Sequence, residues 1–239
     1  MWFEPAQETT PWDAAARFLS KADPRFAEII RRVGPCTLAP RRDYFVALSK
    51  AIFSQQLSTV VAASLFNRFR DLFPNRRPTP SLLLAALERD PQILRSCGSS
   101  RAKSVYLKDL ADHFATNRIP TRKLSAMTDE QVIEALIAVN GVGRWTAEMF
   151  LIFVLNRPDV WPVDDLGLRV GVQEILKLPA RPTPKEVIEM GEAWRPYRSI
   201  ATWYIWRRNT GKSEIRNPKS ESNPNIQMAK RKRSVMTET

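Results

Sequence analysis

Gly141 and Gly143 stand one residue apart between two runs of apolar residues, and they constrain this chain more than any other feature. Residues 136–172, LIAVNGVGRWTAEMFLIFVLNRPDVWPVDDLGLRVGV, read as a helix, a tight glycine hairpin, a second helix, a short loop and an aspartate opening a third helix. Glycine tolerates positive φ and permits close approach of another backbone, which a two-helix reversal this short requires. The N–H groups that open the second helix point outward, and the helix dipole there favours an anion. A phosphate is the natural occupant of such a helix start.

The rest of the chain fits an all-α fold around that hairpin. Only eight glycines but eighteen prolines are present, so prolines serve as stops and starts between short helices. Helical spacing runs from Trp12 through Leu19, then from Pro24 to Val33, where Gly34-Pro35 ends it. A long apolar pattern follows over about 43–70, and the polar residues Ser54, Gln55 and Gln56 interrupt it, marking a break or an exposed functional edge. Further helices are predicted over 81–89 and after the glycine turn at 96–100. Thr128-x-x-Gln131 and Thr183-Pro184-Lys185-Glu186 are capping-box starts, and Pro196 opens a last helix to about Asn209. No strand-like alternation extends beyond a few residues. Residues 1–11 read as irregular, and 211–239 as a basic, disordered tail.

Charge narrows the function. Lys and Arg number 37 against 25 Asp and Glu, giving a net charge of +12 and a pI near 10.1. Seven basic and three acidic residues put +4 in the tail, which leaves +8 on the rest. Such a field favours polyanions. Cys36 and Cys97 are too few for a disulfide framework or a four-cysteine iron–sulfur cluster, and the lone His113 argues against a zinc site. No apolar run reaches membrane-spanning length and no signal peptide opens the chain, so an intracellular protein that does not engage membranes is expected. It would be cytoplasmic or nucleoid-associated in a bacterium and nuclear in a eukaryote. The KRKR at 230–233 reads equally as a nuclear signal or as solvated charge.

The residues 136–147, LIAVNGVGRWTA, with the loop and aspartate that follow them, resemble the helix-hairpin-helix (HhH-GPD) DNA glycosylase superfamily. Trp145 and the PVDDLG ending at 162–167 are most similar to its alkylpurine branch, the 3-methyladenine DNA glycosylase II type. The likeness extends to IFSQQLSTVVAASLFNRF at 52–69 and more weakly to 194–206, so it spans roughly 12–208. It implies two helical subdomains with a DNA-facing cleft between them. Residues 52–165 would form the central subdomain, with the hairpin motif at about 130–156. Residues 1–51 would pack with 166–210.

On that resemblance, excision needs an anchor, a wedge, a base pocket and a carboxylate, because a base inside a duplex must be extruded before its glycosidic bond is reached. Gly141, Gly143, Arg144 and Thr146 are the expected phosphate anchor. The carbonyls of Val139 and Gly141 would hold a monovalent cation, Na+ or K+, and no other cofactor is expected. Val142 and Ala147 read as packing residues. Gln56, then Leu57, is the expected wedge that fills the gap left by the flipped base. Arg101 and Lys103 read equally as phosphate contacts or as solvated charge.

Asp165 is the expected catalytic carboxylate, since cleavage builds positive charge on the sugar that a carboxylate stabilises. Either aspartate of Asp164-Asp165 is also what any helix cap looks like, and Asp164 is the one expected to cap. Trp145 occupies the position at which lyase-active relatives carry a Schiff-base lysine, so lyase chemistry is not expected. An indole there suits a cationic base through stacking and cation–π attraction. Met149 would line the same pocket, with Trp194 or Tyr197 as the facing wall. The reading is a monomeric, monofunctional DNA N-glycosylase acting on N3- and N7-alkylpurines in double-stranded DNA. A glycosylase for mismatched or oxidised bases and a non-catalytic helix-hairpin-helix DNA-binding protein remain the alternatives.

Overall fold

A computed structural model describes residues 10–208. The expectations for residues 1–9 and for the 211–239 tail lie outside that range. Every regular element among the described residues is helical: α1 Asp13–Ala22, α2 Pro24–Val33, α3 Tyr44–Ser54, α4 Thr59–Asp71, α5 Pro80–Arg89 and α6 Ile93–Ser96. These are followed by α7 Arg101–Ala115, α8 Asp129–Ile137, α9 Arg144–Phe153, α10 Leu166–Leu176, α11 Pro184–Gly191 and α12 Arg198–Arg207.

Local chemistry sets most of these starts. The hydroxyls of Ser58, Thr79, Ser100, Thr128 and Thr183 each accept a first-turn N–H, and Thr128 and Thr183 complete capping boxes with Gln131 and Glu186. Proline occupies the start of α2, α5 and α11, where its missing N–H costs nothing. Gly34 ends α2 as the sequence predicts. The long pattern over 43–70 proves to be two helices, α3 and α4, and the polar residues 54–56 are where it breaks.

The helices form two compact units, residues 42–150 and residues 10–41 with 151–208. The divisions fall earlier than expected, at 41/42 rather than 51/52 and at 150/151 rather than 165/166. The reason is packing. Helix α3 belongs with α4 and α7, where Phe53 meets Phe66 and Phe69 with ring centroids 6.0 and 5.2 Å apart. Residues 151–165 are tied instead to the C-terminal helices. Val160 N–H donates to Ser199 Oγ at 2.9 Å, and Trp161 Nε1 donates to the Val187 carbonyl at 2.8 Å.

In the unit built on the chain ends, α12 is the core element: residues 199–205 are all buried. Trp194 is 1% exposed, with Phe26 and Trp161 edge-on at 5.2 and 5.3 Å. Burial of such rings accounts for several kcal/mol, on the order of 1.5–3 per large apolar side chain.

Candidate DNA-binding and catalytic site

The hairpin between α8 and α9 closes on itself and on α7. Val139 N–H bonds the Leu136 carbonyl at 3.1 Å, and Val142 N–H bonds the Val139 carbonyl at 3.0 Å. Val142 and Ala147 are buried packing residues. Asn140 donates its backbone N–H and its Nδ2 to Asp109 Oδ2 at 2.7 and 2.8 Å. Gly141 has φ +81°, and a Cβ there would lie 2.3 Å from the Tyr106 ring. Both the backbone and the neighbour therefore demand glycine. Gly143 differs: its φ is not left-handed and nothing lies within 4 Å of where its Cβ would be. The fold leaves that space open, and a close-approaching backbone is what an absent side chain there accommodates.

Helix α9 begins its ladder with Ala147 N–H to the Gly143 carbonyl at 3.1 Å, so the first-turn N–H groups of residues 144–146 precede it. Thr146 is buried, so any contact it makes with an outside anion is through its backbone. Arg144 is engaged within the protein. Its Nη1 and Nη2 meet Glu130 at 2.6 and 3.0 Å and its Nε meets Glu148 at 3.3 Å. The hydrogen bond from Arg144 holds the Glu130 carboxyl below the usual range. Any anion brought to Arg144 would compete with two carboxylates for it. The carbonyl of Gly141 accepts from Gln55 Nε2 at 2.7 Å, and that of Val139 from Val142. Each of these oxygens thus accepts one hydrogen bond and keeps a second lone pair.

Gln56 sits in the break between α3 and α4 at φ +58°, exposed to solvent, and Leu57 beside it is half-buried. A non-glycine residue in the left-handed region is costly and marks a position the surroundings over-determine. Those surroundings include Lys103, whose Nζ donates to the carbonyls of Phe53 and Gln55 at 2.7 and 2.9 Å. Of the two basic residues left open by the sequence, Lys103 thus caps α3, while Arg101 is exposed. Burial lowers the Lys103 pKa.

In the other unit, Asp165 rather than Asp164 is the N-cap of α10: its Oδ1 accepts from Leu168 N–H at 2.6 Å. Asp164 is exposed. The extended backbone of Asp165, φ −69° and ψ 120°, turns its carboxylate back over the helix start, which reverses the expected role of Asp164. The same oxygen accepts from Trp206 Nε1 at 3.0 Å, and the indole stacks on Phe153 with centroids 5.6 Å apart and planes at 16°. Gly167 leaves room for this arrangement, since a Cβ there would meet Asp165 Oδ1 at 3.1 Å and Trp206 Nε1 at 3.4 Å.

Trp206 was not separable from its aromatic neighbours by sequence. Apolar residues surround α12 on every side, so no face is marked. The expected pocket wall is corrected in part. Trp194 is a core residue whose Nε1 bonds Asp23 Oδ2 at 3.3 Å. Tyr197 is half-buried, edge-on to Phe18 at 5.4 Å. On α9, Trp145 is 37% exposed and Met149 is half-buried, one turn apart on the same helix.

The sequence model of HhH-GPD superfamily base excision DNA repair proteins matches residues 49–196. The chain belongs to that superfamily. Among its HhH-GPD relatives, DNA-3-methyladenine glycosylase 1 of Schizosaccharomyces pombe is 37% identical over 194 residues, covering 79% of this chain and 84% of that protein. The alkylbase DNA glycosidase-like protein mag2 of the same yeast is 34% identical over 202 residues, covering 81% and 92%. Among solved structures, S. pombe 3-methyladenine DNA glycosylase (Mag1) in complex with abasic DNA aligns with a TM-score of 0.73 at 35% identity. It covers 85% of this chain and 99% of that one. DNA-3-methyladenine glycosidase of Bacillus halodurans aligns with a TM-score of 0.72 at 30% identity, covering 86% and 93%.

Proposed function

We propose that this HhH-GPD protein is a monofunctional DNA N-glycosylase that releases alkylated bases, chiefly N3- and N7-alkylpurines, from double-stranded DNA and acts as a monomer. The observation that carries the reading is the Asp165 carboxylate, held at a helix start by Leu168 N–H and Trp206 Nε1. Two donors on one oxygen hold the carboxylate in one orientation, which is what stabilising a developing cation requires. The relatives named above lend the substrate class.

In this mechanism the first-turn N–H groups of α9 and the open space at Gly143 receive a backbone phosphate. Gln56 enters the stack as the base leaves it. The C1′–N bond then breaks, its electron pair going to the base nitrogen and discharging the alkylpurinium ring. Asp165 stabilises the sugar cation and takes the proton of the water that adds to C1′. A cationic alkylpurine is already a good leaving group, so no separate general acid is invoked. Trp145 offers no amine, so no Schiff base forms and the products are a free base and an intact abasic site. A Na+ or K+ at Val139 and Gly141 would share those carbonyls with Val142 and Gln55, and no step uses it.

The test is chromatography of bases freed from methylated duplex DNA. Release of 3-methyladenine and 7-methylguanine is expected. Release only from oxidised or mismatched duplexes would move the protein to another glycosylase class. Binding of abasic DNA with no base released would make it a non-catalytic module.

A further inference from the structure

The wedge loop and the phosphate hairpin are far apart in sequence yet bonded to each other. Gln55, next to the wedge residue, donates Nε2 to the Gly141 carbonyl at 2.7 Å. Helix α7 grips both pieces from one face, because residues three apart share a side of a helix. Lys103 holds the carbonyls of Phe53 and Gln55, the Tyr106 ring lies against Gly141, and Asp109 holds Asn140. An ammonium at the C-terminal end of α3 also complements that helix's dipole. Gln56 remains left-handed only while its neighbours hold it so.

We propose that Gln55 and Lys103 are positioning residues for the wedge: through the Gln55–Gly141 bond and the Lys103 cap they fix Gln56 at a set place relative to the phosphate anchor. The inference rests on the reading of this chain as a glycosylase with Gln56 as its wedge. Once the phosphate is seated, the loop is already in its inserting conformation. The force of phosphate capture then falls on the base pair rather than on deforming the loop. Loosening the link should penalise extrusion of a paired base and leave the chemistry on an unopposed base alone.

The experiment compares single-turnover release of one alkylated purine from two duplexes, with the lesion opposite a normal base or opposite an abasic-site analogue. Gln55→Leu, which loses one hydrogen bond, should slow the paired substrate by about tenfold, Lys103→Met, which loses two, by at least as much, and each should slow the unopposed one by less than about twofold. Equal slowing of both substrates, or none on the paired one, would overturn the proposal. If Lys103→Met melts below the assay temperature, Gln55→Leu decides alone, because its side chain lies at the surface of the loop. Gln56→Ala separates this proposal from the reading beneath it. An unchanged ratio between the two substrates in Gln56→Ala, or an inactive wild type, would sink the wedge or glycosylase reading itself. A ratio changed by Gln56→Ala but not by Gln55→Leu would sink only the positioning role.

Discussion

Trp206 Nε1 donates to Asp165 Oδ1 at 3.0 Å, on the oxygen that also caps α10 through Leu168 N–H. One carboxylate thereby ends a structural motif and is aimed by an indole that itself stacks on Phe153. Replacing Trp206 by Phe keeps a ring for that stack and removes the donor. Single-turnover base release should fall by about tenfold, the effect of losing a hydrogen bond to a charged group, with affinity for abasic DNA unchanged. Unaltered release would mean that the indole does not aim the carboxylate.

The two hairpin glycines should respond oppositely to alanine. At Gly141, alanine meets both a left-handed backbone, costing about 1–2 kcal/mol, and the Tyr106 ring. Thermal stability should drop. At Gly143 a methyl group enters open space, so stability should change by no more than about 1 kcal/mol, as at a helix-capping position. DNA affinity should nonetheless weaken, because the methyl occupies the approach to the first turn of α9. Anisotropy titrations alongside thermal melts check both; unchanged affinity in Gly143→Ala would remove that glycine from the anchor.

Trp145, 37% exposed on α9, should matter most for charged bases. Excision of N3- or N7-methylpurines should decline in the order Trp, Phe, Ala, with stacking worth about 1–3 kcal/mol per base. A neutral lesion such as hypoxanthine should suffer less from the Phe change, because cation–π attraction acts only on a cation. Equal losses for both would leave stacking and discard the cation–π account. Borohydride added during turnover should trap no covalent enzyme–DNA adduct.

Acid stability should depend on Asp23. Burial alone would raise its pKa, but hydrogen bonds from Arg25 and Trp194 outweigh it and bring the value below the ordinary one. A depressed pKa stabilises the fold above the ordinary aspartate value of about 3.9 and loses that contribution as pH falls through the lowered value. Melting temperature should therefore fall as the pH drops below about 4, and Asp23→Asn should be less stable at neutral pH with a flatter acid limb. Parallel acid limbs in the two proteins would contradict this.

The fold was legible wherever local chemistry decides it. Caps such as Thr128 and Thr183, prolines at helix starts and the Gly141 turn act over a few residues, and the sequence displays them directly. The break at Gln55-Gln56 was visible as polar residues in an apolar pattern. What escaped were distinctions made by distant partners. Trp194 and Trp206 are both tryptophans near the end of an apolar stretch, yet one is sealed between Phe26 and Trp161 while the other reaches Asp165. Asp164 and Asp165 are adjacent, and only the extended backbone at Asp165 assigns the cap. Lys103 read equally as a phosphate contact or as solvated charge until α3 was placed beside it.

The central claim is that Asp165 carries the chemistry, and single-turnover base release by Asp165→Asn tests it most directly. Asparagine caps a helix about as well as aspartate, to within about 0.5 kcal/mol, so the fold should be retained. Asp164→Asn, at an exposed position with no capping role, serves as the control with unchanged rate and melting temperature. The account predicts that Asp165→Asn binds abasic DNA like the wild type and releases no measurable 3-methyladenine from methylated duplex. Release at the wild-type rate by a folded Asp165→Asn protein would contradict it.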